Sequence, residues 1–162
     1  MKKLYAKQKI LKITDQYPIL DEDGKEVYFV SQDFTIIGGR FHVYNENRDH
    51  LFVIEKKPLS FLPEYKVTFD NGLVAILKKD FALFKLSMEI TVGEEDWHVT
   101  GNLLKRNFKI YRDYSVIGEV KSKFPRIRDS FEMIIYEEES QDIIVAIMIA
   151  IDSIIDMAEK SN

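Results

Sequence analysis

The most restrictive feature of this chain lies near its end: Ile143-Ile144-Val145-Ala146-Ile147-Met148-Ile149-Ala150-Ile151, nine apolar residues in succession. A helix carrying this run is apolar on every face, so lipid or protein has to surround it. A helix that crosses a bilayer needs about 20 such residues. Extending this run brings in Asp152, Ser153 and Asp156, and each carboxylate at mid-bilayer costs roughly 2.5–3.5 kcal/mol on insertion scales. The reading is therefore a helix over residues 141–158 threaded through protein, and no transmembrane segment. Ser140 is the expected N-cap, with Glu137-Glu138-Glu139 at the positive end of the helix dipole. Asp152 and Asp156, one turn apart, are expected to mark where the helix leaves its enclosure; side by side and buried, two bare carboxylates would repel.

The rest of the chain supplies the enclosure. A large apolar residue, any residue, then an aliphatic one recurs as Tyr17-Pro18-Ile19, Phe41-His42-Val43, Tyr65-Lys66-Val67, Met88-Glu89-Ile90, Phe108-Lys109-Ile110 and Phe131-Glu132-Met133, at spacings of 24, 24, 23, 20 and 23 residues. Each alternates with period two, as a half-buried strand does. Polar turns follow, among them Asp21-Glu22-Asp23-Gly24 and Asp70-Asn71-Gly72, and Asn-Gly is a strong hairpin signal. Second strands are expected at Val27–Val30, Leu51–Ile54, Leu73–Leu77, Trp97–Thr100 and Val116–Val120, with Pro58, Pro63 and Pro125 in the crossings, where no ladder donor is lost. An opening strand at Leu4–Ile10 and a last one at Phe131–Tyr136 bring the count to twelve. The fold class is mainly β with one helix: a closed twelve-stranded antiparallel barrel of repeated hairpins, one domain over 1–162, with strands over about 3–136. Such a barrel is too wide for its own side chains to fill, and the central C-terminal helix fills it.

Short repeated hairpins throughout, a Lys7-Gln8-Lys9 start, Asp21-Glu22-Asp23-Gly24 after the first repeat strand, and an acidic turn feeding Ile143–Ile155 together resemble the LURP-one-related family. That resemblance implies the Tubby C-terminal-like fold, a twelve-stranded barrel around a hydrophobic C-terminal helix, to which phospholipid scramblases are distantly similar. It also implies a tie to membranes, because Tubby domains bind phosphoinositides through basic residues on the barrel exterior. No Tubby lipid-binding motif carries over to this sequence residue by residue.

Cysteine is absent, which excludes disulfides, thiolate metal sites, cysteine nucleophiles and the scramblase cysteine cluster. A chain of 162 residues buries roughly 70% of its surface on folding, enough for a core without staples. Five lysines face one acid in residues 1–20, and nine acids face Lys160 in residues 129–162. The basic start reads as a solvated strand. Leu4-Tyr5-Ala6 runs at once into Lys7-Gln8-Lys9, so no signal peptide is expected and a cytoplasmic location is.

Chemistry is sparse. His42, His50 and His98 show no helical metal spacing, though His42 and His50 flank one turn and can be cross-strand neighbours. No Gly-rich loop opens a helix and no Gly-x-Ser-x-Gly elbow occurs. Glu94-Glu95-Asp96 and Glu137-Glu138-Glu139 lack the alternating spacing of a calcium loop. No metal, cofactor or catalytic residue is expected, and the chain is read as a non-enzyme. The signal that remains is basic: Lys56, Lys57, Lys78, Lys79, Lys105, Arg106, Lys121 and Lys123 fall near the ends of second strands, a position that recurs around a repeat barrel, near one end or along one wall. Two functions stay open. One is a binding module for anionic phospholipid or phosphoinositide headgroups through these residues, in peripheral contact with a membrane. The other is a protein–protein adaptor, for which the lysines only keep strand edges soluble. Nucleic acid is not an expected partner, since the net charge is -4 and the aromatics alternate inward rather than forming a stacking platform.

Overall fold

A computed structural model describes residues 1–7, 16–33, 39–81, 85–124 and 127–160, with the side chains of 123–129 and 160 outside that description. Its strands are β1 (Lys2–Lys7), β2 (Gln16–Leu20), β3 (Glu26–Asp33), β4 (Arg40–Asn45), β5 (His50–Lys56), β6 (Glu64–Phe69), β7 (Val74–Lys79), β8 (Lys85–Val92), β9 (Glu95–Asn102), β10 (Asn107–Arg112), β11 (Ser115–Phe124) and β12 (Ile127–Ile135). They form one closed barrel in which each strand pairs antiparallel with its chain neighbours and β1 closes on β12. The twelve-strand expectation holds. The crossings between hairpins are themselves antiparallel links, so the chain runs as an uninterrupted up-and-down meander. Strand ends differ from expectation where alternation stops being visible: β11 runs through Lys121-Ser122-Lys123, and β12 begins at Ile127. Residues 8–10 of the expected first strand lie outside the described residues.

A 3-10 turn (Glu138–Ser140) leads into α1 (Gln141–Lys160). Ser140, expected as the cap, lies in that turn and is buried. Every residue from Ile143 to Ile151 is buried, and burial continues through Ile154 and Ile155. The barrel lining is the inward half of each strand: Leu4, Ile19, Val30, Val43, Phe52, Ile54, Val67, Leu77, Met88, Val99, Ile110, Val120 and Met133 join the helix in one core. Gly118 shows how close the wall approaches, since a Cβ there would sit 2.7 Å from Ile144 Cδ1 and 3.1 Å from the Ile134 carbonyl oxygen.

An apolar rod in an apolar tube has little to fix its axial position, and here polar pins at both ends do so. Near the helix start, the Tyr28 hydroxyl donates to Asp142 Oδ1 and accepts from Gln141 Nε2 at 2.6 Å. Near its end, the Tyr65 hydroxyl donates to Ser153 Oγ at 2.9 Å, and Asp152 acts electrostatically on Tyr17. Asp152 is therefore not where the helix leaves the barrel, as expected from sequence. It is 8% exposed, and the tyrosines that line its level are invisible to a reading of the helix alone. Burial and the Asp152 charge raise the Tyr17 phenol well above its usual value. Burial first, opposed by the Ser153 bond, pushes Tyr65 up to about 12, and burial with the Asp142 charge raises Tyr28.

Closure depends on the outer wall as well. The Glu132 carboxylate on β12 accepts from Tyr5 of β1 at 3.3 Å and pairs with Lys3 of β1 at 3.5 Å and Lys121 of β11 at 3.4 Å. It ties together the three strands at which the chain's two ends meet. By contrast, among the described residues β1 and β2 share two register pairs, Tyr5 with Leu20 and Ala6 with Ile19.

Ile147 and Ile149 lie on nearly opposite sides of α1, about 160° apart at 100° per residue. On a surface helix one of them would tolerate truncation. Here Ile147→Ala and Ile149→Ala are each expected to lower stability by about 2–5 kcal/mol in urea denaturation. A second expectation concerns alkali. The tyrosine pKa values are raised in the folded state, so their contribution to stability is fully present below the unfolded value near 10 and is lost as pH rises toward the folded one, about 12 for Tyr65. Melting temperature should therefore fall above pH 10, and Tyr65→Phe should flatten that fall while costing about 1 kcal/mol at neutral pH.

Candidate functional site

The up-and-down path sorts the connections into two groups. At the end where α1 enters, they are 21–25, 46–49, 70–73, 93–94, 113–114 and 136–140, and acids outnumber bases in each of these six. They are tight polar turns. Asp21 Oδ1 accepts from the Asp23 and Lys25 amides at 2.9 Å, and Gly72 takes a φ of 94° in the Asn71-Gly72 hairpin. Arg112 pairs with Glu137 and lies 6.0 Å from the Trp97 ring, holding the lead-in to the helix.

The other rim, where the helix ends, receives every described candidate predicted from sequence. Strand direction places Lys56, Lys57, Lys78, Lys79, Lys105, Arg106 and Lys121 there or one step inside it. The backbone of Lys123 lies on the same stretch of β11, and its side chain is outside the described residues. The rim does not use these residues alike. Lys56 continues the inward series Phe52, Ile54, and its ammonium reaches Met157 Sδ at 2.6 Å. Arg106, with its side chain only 12% exposed, pairs with Glu159 at 2.5 Å. Both approach the helix's last turns, which carry acids (Asp156 and Glu159) at the negative pole of the dipole. Their positive charge offsets that accumulation, so their role is in holding the helix end. Lys79 follows the inward parity of Ala75 and Leu77 and donates to the Asp80 carbonyl at 3.3 Å. Lys121 belongs to the Glu132 cluster on the wall.

Lys57, Lys78 and Lys105 are exposed. Lys57 pairs loosely with Glu64 at 3.5 Å, and Lys78 stands in register between Glu64 and Glu89. Lys85, exposed at the start of β8, shares this rim. It was missed in sequence because it follows a crossing instead of ending a hairpin.

A larger omission is apolar. The connections at this rim carry Leu59, Phe61, Phe81 and Leu104, which are 101%, 92%, 75% and 77% exposed. Hydrophobic residues in short connections read as core by composition, and only the loop geometry reveals them as projecting. Leu59 also has a φ of 60°, a left-handed backbone that leucine rarely adopts.

Elsewhere on the outer wall, His42 Nδ1 lies 3.0 Å from His50 Nε2, and His50 Nδ1 lies 2.7 Å from Asp70 Oδ1. The two histidines are thus the neighbours their spacing suggested. Partial burial, then His50 and Arg40, lower the His42 pKa. Among the described residues no group of three or more His, Asp or Glu side chains could hold a metal ion. No helix among them is long and apolar enough to cross a membrane.

Across 155 residues, covering 96% of this chain and 94% of the other, the sequence is 26% identical to "Uncharacterized protein YxjI" of Bacillus subtilis (strain 168). No solved structure matches significantly. The family model described as LURP-one-related matches residues 2–152. With that match across nearly the whole barrel and into its central helix, the chain belongs to the LURP-one-related family.

Proposed function

We propose that this protein is a non-enzymatic binding module that sets the rim around the helix end against an anionic phospholipid surface. The observation that carries this reading is axial charge polarity. Acidic turns crowd the helix-entry end, whereas Lys57, Lys78, Lys85 and Lys105 stand exposed at the other. An anionic surface attracts the second end and repels the first, which orients the barrel as well as binding it. Lys56 and Arg106 leave the set of headgroup contacts because each already serves the helix end. Glu64 and Asp80 reduce the field at the rim, so attraction is modest per lysine and sensitive to salt.

The test is flotation with vesicles of phosphatidylcholine alone and of phosphatidylcholine with phosphatidylserine or phosphatidylglycerol. The protein is expected to float with the anionic vesicles. The variant with Lys57→Glu, Lys78→Glu, Lys85→Glu and Lys105→Glu should lose most of that binding while keeping its melting temperature within a few degrees. Failure to float with any vesicle, or unchanged flotation of the variant, would contradict headgroup recognition and favour the adaptor reading.

A further inference from the structure

We propose that the same rim enters the membrane: Leu59, Phe61, Phe81 and Leu104 are apolar anchors that insert at the boundary between headgroups and acyl chains. This rests on the lipid-surface reading above and adds a mode of attachment to it.

Among the described residues, apart from the N-terminal Met1, these four are the large, wholly apolar side chains that stand more than two thirds exposed. The strand path places all of them at one end. They occupy three successive connections, β5–β6, β7–β8 and β9–β10. Neighbouring strands lie about 4.8 Å apart, so successive tips are spaced by about 10 Å along the rim. Scattered exposed leucines need no explanation, but apolar residues gathered at a single end mark an interaction surface.

The first of these loops is built to project. Pro58 and Pro63 fix φ on either side of it. The Lys57 amide bonds the Glu64 carbonyl at 2.8 Å, the Lys79 amide bonds the Pro63 carbonyl at 3.0 Å, and Ser60 Oγ donates to the Lys57 carbonyl at 3.2 Å. Within that frame Leu59 adopts its positive φ. Glycine or asparagine would form such a turn with less strain, yet here the strained position carries a large apolar side chain that projects from the rim.

The geometry fits a bilayer better than a folded partner. Separate knobs demand matching pockets from a protein but none from a fluid surface. Basic side chains sit beside the tips: Lys57 next to Pro58, Lys78 before Asp80 and Phe81, and Lys105 next to Leu104. With the tips inserted, these ammonium groups stand at headgroup depth, the arrangement of a peripheral anchor combining apolar burial with attraction to anionic lipid.

The chain has no cysteine, which permits a direct test. Phe61→Cys, Phe81→Cys and Leu104→Cys, with Tyr114→Cys at the opposite end as control, are each labelled with an environment-sensitive fluorophore. Each is then mixed with vesicles of phosphatidylcholine and phosphatidylserine. Labels at 61, 81 and 104 should shift to the blue and be quenched by nitroxides in the acyl chains, while the label at 114 should do neither. In parallel, the variant with Leu59→Ser, Phe61→Ser, Phe81→Ser and Leu104→Ser should lose vesicle affinity by on the order of tenfold per inserted side chain, with unchanged circular dichroism. Part of the wild-type binding should survive about 1 M salt, where the Debye length falls to about 3 Å and charge attraction is screened. Flotation with every tip label still in water would overturn insertion and leave headgroup contact standing. Insertion into phosphatidylcholine alone would support the anchors and overturn the headgroup reading. Absence of vesicle binding would overturn both.

Discussion

The structure depends on filling a bore. Twelve strands closed on themselves leave a lumen that their own inward residues cannot occupy. A helix with no polar face cannot exist unless something encloses it. Each element answers the other's deficit. The nine buried residues from Ile143 to Ile151 have no counterpart in a surface helix, and the barrel without them would hold an empty apolar channel. Strand alternation, the meander path and the position of the helix at the end of the chain all serve this single enclosure.

Enclosure alone would leave the helix free to shift along its axis, and the polar residues at its ends remove that freedom. Tyr28 meets Asp142 and Gln141 at one end, and Tyr65 meets Ser153 at the other. The same logic explains why basic residues at one rim have two fates. The last turns of α1 bring acids and the negative end of the dipole to the barrel mouth, where Arg106 pairs with Glu159 and Lys56 turns inward against Met157. Those that remain exposed face solvent beside projecting leucine and phenylalanine tips. A structural demand inside the mouth and the proposed binding surface outside it thus share one rim, and the acidic turns at the far end give the molecule a direction.

Most of this fold is legible in the sequence because its signals are local and repeated. Period-two alternation places the strands, Asn71-Gly72 and the acidic turns place the hairpins, and Ile143–Ile151 requires an enclosure. The site is legible only in part. That Lys56 points inward follows from its parity with Phe52 and Ile54, a signal present in the sequence but masked by its charge, which by itself reads as outward. Asp152 reads as an exit from the barrel because the tyrosines at its level come from distant strands. Leu59, Phe61, Phe81 and Leu104 stay hidden for a different reason. Hydropathy cannot distinguish an apolar residue that turns into a core from one held away from it, and only the loop backbone decides which it is. The LURP-one-related family model covers residues 2–152, while the proposed binding surface rests on the rim itself.

Helix and barrel are expected to open as one cooperative unit in which neither is stable alone, and residue-resolved amide hydrogen exchange measures this. In a single unit, amides from Ile143 to Ile151 exchange as slowly as those of Val43, Val67 and Val99 in the strands, and all share one opening free energy that falls in parallel with added urea. Helix amides that exchange orders of magnitude faster than the strands, with an opening insensitive to urea, would contradict it.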